Sequence, residues 1–426
     1  MIQRYSIPDV PSATSPLNRV LYAVVIALFL SDLVFFHGDQ ALFSIAKTAA
    51  LILGTLSILD LGGNWRSGFP RPMGATIVVL SSASLILAIY AIHGLLRGPP
   101  SEPVMAARVV AGVGLGLLVA LSWRIRPDRM EHAALGIIAT AILGTGMSCW
   151  QMVTGLGTIR ITAPELYEFY LGNDLRFFLP RASGLFTDPN YASVIFAAGL
   201  SVVLTIGRRH LGTGWTCSLG IILTSAAFAT RSRMGLILLF AIILLSFGRT
   251  KTAVLFLGGT VAFVLGLSLA LPGALRVLNE AGTNGVSVTN YDSSARTRIR
   301  ALNHALGEIR SHPVYGIGPG ATAASIPGSP HPINSHNTLL DIGAETGLPG
   351  LLGISVILGI GAWASIRTMT RSSSDDQRLL AALVACAGVS SLFLVQQHSK
   401  NFWLLLLPPL ILLLAPQNTK PDPPHA

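Results

Sequence analysis

"INSHNTLLDIGAETGLPGLLGISVILGIGAWASIR", residues 333–367, joins two kinds of sequence without a linker. It opens on a neutral Ser335-His336-Asn337 corner and a half-apolar stretch that carries Asp341 and Glu345. From 349 to 367 it turns apolar and closes on Arg367. A bilayer core takes about 20 apolar residues per helix, so 349–367 reads as a membrane span. The corner then stands at its mouth. The same ruler finds twelve candidate spans in the chain: 17–36, 41–59, 73–93, 104–123, 130–153, 189–207, 213–229, 234–248, 252–271, 349–367, 378–396 and 401–415. The chain is 51% hydrophobic and 11% charged, against about 25% charged in a soluble domain. Nothing alternates like a lipid-facing barrel strand. The expected fold is an all-α integral membrane protein with about twelve transmembrane helices and two longer outside loops containing short helices.

Lys and Arg in the connections set the orientation. With the N-terminus inside, the inside segments are short and basic, holding among others Arg66, Arg71, Arg124, Arg126, Arg129, Arg208, Arg209, Arg249, Lys251 and Arg371. Both termini are expected in the cytoplasm. The chain then divides into five spans (1–153), an outside segment (154–188), four spans (189–271), a large outside loop (272–348), and three spans with a tail (349–426). The first span has no small-residue cleavage site after it and reads as a retained anchor. Cys149, Cys217 and Cys386 fall within spans and read as packing residues. The net charge of +10 reflects the inside rule plus a second population of cations outside, and does not call for nucleic acid.

Those outside cations break the rule. Arg160, Arg176, Arg181, Arg276, Arg296, Arg298, Arg300 and Arg310 sit in the two long loops, and "TRSR" (230–233) puts Arg231 and Arg233 in a tight outer turn. Long loops tolerate charge; a tight turn needs a reason. A bound anion supplies one, since guanidinium groups grip phosphate oxygens through forked hydrogen bonds. In 291–320 a capped helix runs to His312-Pro313. At about 100° per residue, Ile299, Leu302, Leu306 and Ile309 form its apolar stripe, and Arg298 falls at the stripe's edge. Arg296, Arg300 and His304 project to solvent. "GIGPG" (316–320) follows a helix and a proline rather than a strand, so it reads as a flexible turn and not as a nucleotide loop. "APELYEFYLGNDLRFFLP" (163–180), with five aromatics, reads as an interfacial helix.

Four stretches together resemble the O-antigen ligase and polymerase superfamily: "RASGLFTDPNYAS" (181–193), "TRSRMG" (230–235), "RIRALNHALGEIRSHPVYGIGPG" (298–320) and "SHNTLLDIGAETGLPG" (335–350). Their order, spacing and sidedness agree over roughly 181–350. One departure is Leu302, where many relatives carry Trp. The resemblance implies a GT-C-type glycosyltransferase of the bacterial inner membrane with a periplasmic site. It would take a glycan from undecaprenyl pyrophosphate and pass it to a sugar hydroxyl of the lipid A core (a ligase) or to another repeat unit (a polymerase). It implies His336 as base and Arg181, Arg233 and Arg298 on the pyrophosphate. Arg176, in the aromatic segment 163–180, is a secondary candidate for the anion site, as are Arg231 and Asn337 beside those residues.

Glycosyl transfer to a hydroxyl needs a base near the acceptor and cations on the departing phosphate. Histidine and arginine suit those tasks. No Asp-x-Asp pair or His-x-x-x-His spacing falls on the outer face, so neither metal nor cofactor is implied. Asn334 or Ser335 is expected to cap a helix at 336–346, with His336 in its first turn and kept neutral by the helix dipole. Asp341 and Glu345 lie about 140° and 180° around from His336 and are expected to bind other loops or fix the "GLPG" bend. The competing readings are a transporter, or a flippase for the same lipid. Ionisable groups gathered on one face, rather than at the midplane, speak against both.

Overall fold

The computed structural model of the chain describes residues 16–31, 45–63, 74–96, 102–154, 165–171, 175–186, 188–247, 289–324, 335–370 and 374–415. Five helices lead: α1 Pro16–Leu30, α2 Ile45–Gly63, α3 Gly74–Leu96, α4 Glu102–Ile125 and α5 Asp128–Thr154. Strands β1 Glu165–Leu171 and β2 Leu175–Arg181 follow. Next come α6 Pro189–Val202, a π-type turn Val203–Gly207, α7 Arg208–Ala229 and α8 Arg233–Phe247. The last group is α9 Thr289–Ser311, α10 Ala321–Ala324, α11 Thr338–Thr370, α12 Asp375–Ser391 and α13 Lys400–Leu413. The expected span 252–271 lies outside the described residues.

Five helical stretches are long and apolar enough to cross a membrane: Gly74–Leu96, Pro103–Ile125, Asp128–Gln151, Pro189–Ala229 and Thr338–Thr368. Pro16–Leu30, Met234–Ile243 and Asn401–Leu413 are shorter apolar helices. The stretch 189–229 breaks at Gly212 (φ 74°, ψ 168°), so its two arms fold back and pack on each other. Large apolar side chains face outward, among them Leu17, Leu51, Ile77 and Leu143. In water such a surface would be an aggregation liability; lipid is its natural solvent. The chain is a membrane protein.

Two expectations are corrected. The segment 163–180 contains no helix among its described residues: β1 and β2 pair antiparallel, Glu165 opposite Arg181 and Leu171 opposite Leu175. Its aromatics favour strands, and Gly172-Asn173-Asp174 between the strands is turn chemistry. The second concerns α9. Its buried face is Ala301, Ala305 and Ile309, while Leu306 is 39% exposed. Alanines let α9 approach α11 closely, where Ala305 and Ile309 meet Ala344, Leu340 and Leu351. A stripe drawn through the large apolar residues alone is therefore rotated from the real one.

Helix alternation separates two ends. At one, Asp60 of α2 accepts from Arg129 Nε and Nη2 (3.0 and 2.9 Å) and from Ser122 Oγ (2.7 Å). Arg129 lies over the Tyr22 ring at 4.7 Å, and Trp123 donates to the Tyr22 hydroxyl. Arg209 pairs there with Asp376 at 2.7 Å. The other end carries the polar corner quoted above.

Candidate active site at one end of the bundle

Of the candidate residues, Arg231, His336 and Asn337 sit on connections at this end. Arg176 and Arg181 belong to β2, Arg181 as its last residue. Arg231 stands in the 230–232 turn with φ 51°, and Arg233 opens α8. Arg298 lies on α9. Arg300 is exposed, as expected for the solvated side.

Backbone bonds draw the segments together. Ala182 N donates to Ala229 O (3.1 Å), seating the end of β2 beside the 230–233 turn. Gln151 holds the next two residues, its Oε1 accepting from Ser183 N and Gly184 N. Asp188 caps α6, and Asn190 Oδ1 accepts from Ser232 Oγ at 2.9 Å. Tyr191 OH donates to Val395 O at 2.6 Å, reaching the α12–α13 connection. Thr338 Oγ1 donates to Leu394 O at 2.6 Å and accepts from Gln396 N at 2.9 Å. The end of β2, the 230–233 turn, α6, the α12–α13 connection and the His336 corner are thus joined one to the next. The helix that carries Arg298, α9, packs on α11.

His336 has φ 55°. It precedes α11 rather than sitting in its first turn, which corrects the expected cap. The cap is Asn337, whose Oδ1 accepts from Leu340 N at 3.1 Å while its Nδ2 donates to Leu392 O at 3.3 Å. Ser335 Oγ accepts from Asn337 N and donates to Asn337 O, pinning the corner from the other side. With His336 outside the helix, its neutrality no longer follows from a place in the first turn.

The acids act as expected, on loops. Pro349 has no N–H to offer Glu345 O, and Leu348 N is drawn off to Pro313 O (2.7 Å) at the Gly347 break. The two carbonyls so released accept from the "GIGPG" loop: Ala344 O from Ile317 N (2.8 Å), Glu345 O from Gly318 N (3.0 Å). The loop is strapped down, not flexible. Gly316 (φ 65°) makes room for it, since a Cβ there would come within 2.4 Å of Glu345 O. The Glu345 carboxylate accepts from Gly320 N (2.9 Å) and the Tyr90 hydroxyl, and meets His398 Nε2 at 3.1 Å. Asp341 Oδ1 accepts from Ser335 N at 3.4 Å.

His398 and Tyr90 were not singled out by sequence reasoning. Burial alone would push the His398 imidazole down; the Glu345 carboxylate, with Asp341 behind it, outweighs that and the opposing Arg108, and holds it above its ordinary value. Two other histidines are simpler: His304, on α9, and His312, just after it, both pair with Glu308. His331 lies outside the described residues. Among the described residues no group of three or more His, Cys, Asp or Glu side chains is arranged to hold a metal.

No curated protein matches the chain. Residues 218–355 match the family described as O-antigen ligase, a stretch that takes in the 230–233 turn, α9, the strapped loop and the His336 corner. That match supports the O-antigen ligase superfamily, whose members are membrane glycosyltransferase-like ligases and polymerases.

Proposed function

We propose that the protein is an O-antigen ligase of the bacterial inner membrane, with twelve spans, both termini cytoplasmic and the His336 end in the periplasm. It takes a glycan from undecaprenyl pyrophosphate and passes it to a sugar hydroxyl of the lipid A core. His336 accepts the proton of that hydroxyl as its oxygen attacks the anomeric carbon, and the bond to the pyrophosphate breaks. Arg181, Arg233 and Arg298 hold the departing pyrophosphate, with Arg176 and Arg231 beside them and Asn337 fixing the corner. Such fixed cations stabilise charge that develops as the leaving group departs.

One observation carries the reading. A family-matched segment has its histidine corner bonded to the α12–α13 connection, which Tyr191 of α6 also bonds, while Asn190 of α6 holds the Arg231-bearing turn. Deletion of the gene followed by lipopolysaccharide profiling tests it. Lipid A core without any attached glycan is the expected result. A single attached repeat would instead identify a polymerase using the same donor, and an unchanged profile would remove the protein from this pathway.

A further inference from the structure

The transferase reading assigns no task to His398, Glu345 or Tyr90, yet the geometry ties them to the base. The connection 392–399 is stapled to α11 at two levels. At the upper level Asn337 Nδ2 donates to Leu392 O, and Thr338 bonds both Leu394 O and Gln396 N. Two turns further along the helix, Glu345 meets His398 Nε2 at 3.1 Å. Glu345 is 1% exposed and His398 17%, so water does little to screen the pair. The Tyr90 hydroxyl and Gly320 N bond the same carboxylate but bring no charge. His398 brings the charge in contact with it. A buried carboxylate that loses its counter-charge is costly, and the structure relaxes to hydrate it or pair it elsewhere.

We infer that His398 is a positioning residue for glycosyl transfer: paired with Glu345, it holds the 392–399 connection at the height where Asn337 and Thr338 keep His336 aimed at the acceptor hydroxyl. The inference rests on the transferase reading and goes beyond it. Among the described residues, the groups facing His398 are Glu345 and Asp341 of α11, Tyr90 of α3 at 6.5 Å between ring centroids, and Arg108 of α4. The two acids favour the imidazolium and Arg108 opposes it, with a net upward displacement of the His398 titration. A folded value above the unfolded one means the pair's contribution is complete below about pH 6.5 and disappears as pH rises through the folded value. A neutral imidazole can still donate an N–H to Glu345, but it leaves the carboxylate uncompensated. The two histidines therefore set opposite limbs. His336 works only when neutral, so transfer falls toward acid; His398 works only when protonated, so transfer falls toward alkali.

The experiment uses the full chain in lipid nanodiscs with a defined undecaprenyl-pyrophosphate glycan and lipid A core acceptor. Initial rates and melting temperature are followed from about pH 5 to pH 9. Wild type is expected to give a bell, with melting temperature falling along the alkaline limb. His398→Gln keeps a donor but cannot titrate, so it should lose the alkaline limb, and its kcat should drop roughly 10–100-fold with little change in donor KM. Glu345→Gln, which removes the carboxylate that the imidazolium compensates, should likewise lose the alkaline limb. A wild type without an alkaline limb overturns the inference before any variant is made. So does His398→Gln with the wild-type profile, at full or reduced rate, since a merely structural role would leave the limb in place. Absence of any transfer by wild type sinks the transferase reading itself, whereas transfer without the alkaline limb sinks only the positioning role.

Discussion

His336 and Arg231 share a backbone conformation that residues with a Cβ avoid, at φ 55° and 51°. Each holds it at a cost of roughly 1–2 kcal/mol, and such cost concentrates at sites where a side chain must be aimed. At His336 the two demands separate cleanly. His336→Gly satisfies the backbone and deletes the base; it should leave thermal stability unchanged or raise it by up to ~1 kcal/mol, while transfer is lost. His336→Gln should fail in transfer by about 10²–10⁴-fold with donor binding intact. Near-normal turnover by either variant would assign the residue to the corner's shape and leave the base unidentified. Residue type made His336 and the arginines visible in sequence, because imidazole and guanidinium carry recognisable chemistry. The cap position was not visible, since Asn334, Ser335 and Asn337 can all cap. His398 was hidden more deeply. Its partner Glu345 is 53 residues away, and "QQHS" reads as the fringe of a span.

At the scale of elements, the "GLPG" break is what joins the 316–320 loop to α11. Gly347 and Pro349 interrupt α11, the interruption frees two carbonyls, and those carbonyls take the backbone of 317–318. Gly316 is the contact point. A Cβ there would lie 2.3 Å from Glu345 C and 2.4 Å from Glu345 O and Thr346 N, all backbone atoms that cannot rotate away. Gly316→Ala should therefore lift the loop off α11 and weaken Gly320's bond to Glu345, cutting transfer steeply while far-ultraviolet circular dichroism stays that of the wild type. Full activity in Gly316→Ala would mean the strap serves folding alone. The bend itself was legible, because glycine and proline punctuate a helix wherever they fall. The hairpin and the α9 face were not. Paired aromatics fit an interfacial helix as well as strands, and the real contact on α9 runs through Ala301 and Ala305, too small to register as core.

Over the whole molecule, the two ends differ in what their charges do. At the Asp60 end, Arg129 and Arg126 are consumed by a carboxylate, and Arg209 by Asp375 and Asp376. Basic groups there serve helix packing. At the His336 end, Arg181 closes β2, Arg231 stands in the turn after α7 and Arg233 opens α8. The proposed chemistry requires that end to face the periplasm, where the lipid-linked glycan is displayed. His210, exposed at the start of α7, and Tyr315, 71% exposed after α9, mark opposite ends. In a background with Cys149, Cys217 and Cys386 replaced, single cysteines at these two positions report the sidedness directly. An impermeant thiol reagent applied to intact spheroplasts should label Tyr315→Cys and leave His210→Cys untouched until the membrane is opened. Tyr315 carries no hydrogen bond to the strap and His210 none to the Asp375–Asp376 pair, so neither change disturbs the contacts that define its end. The reverse labelling pattern would put His336 in the cytoplasm, out of reach of a periplasmic acceptor, and the assignment of base and arginines to glycan ligation would fall with it.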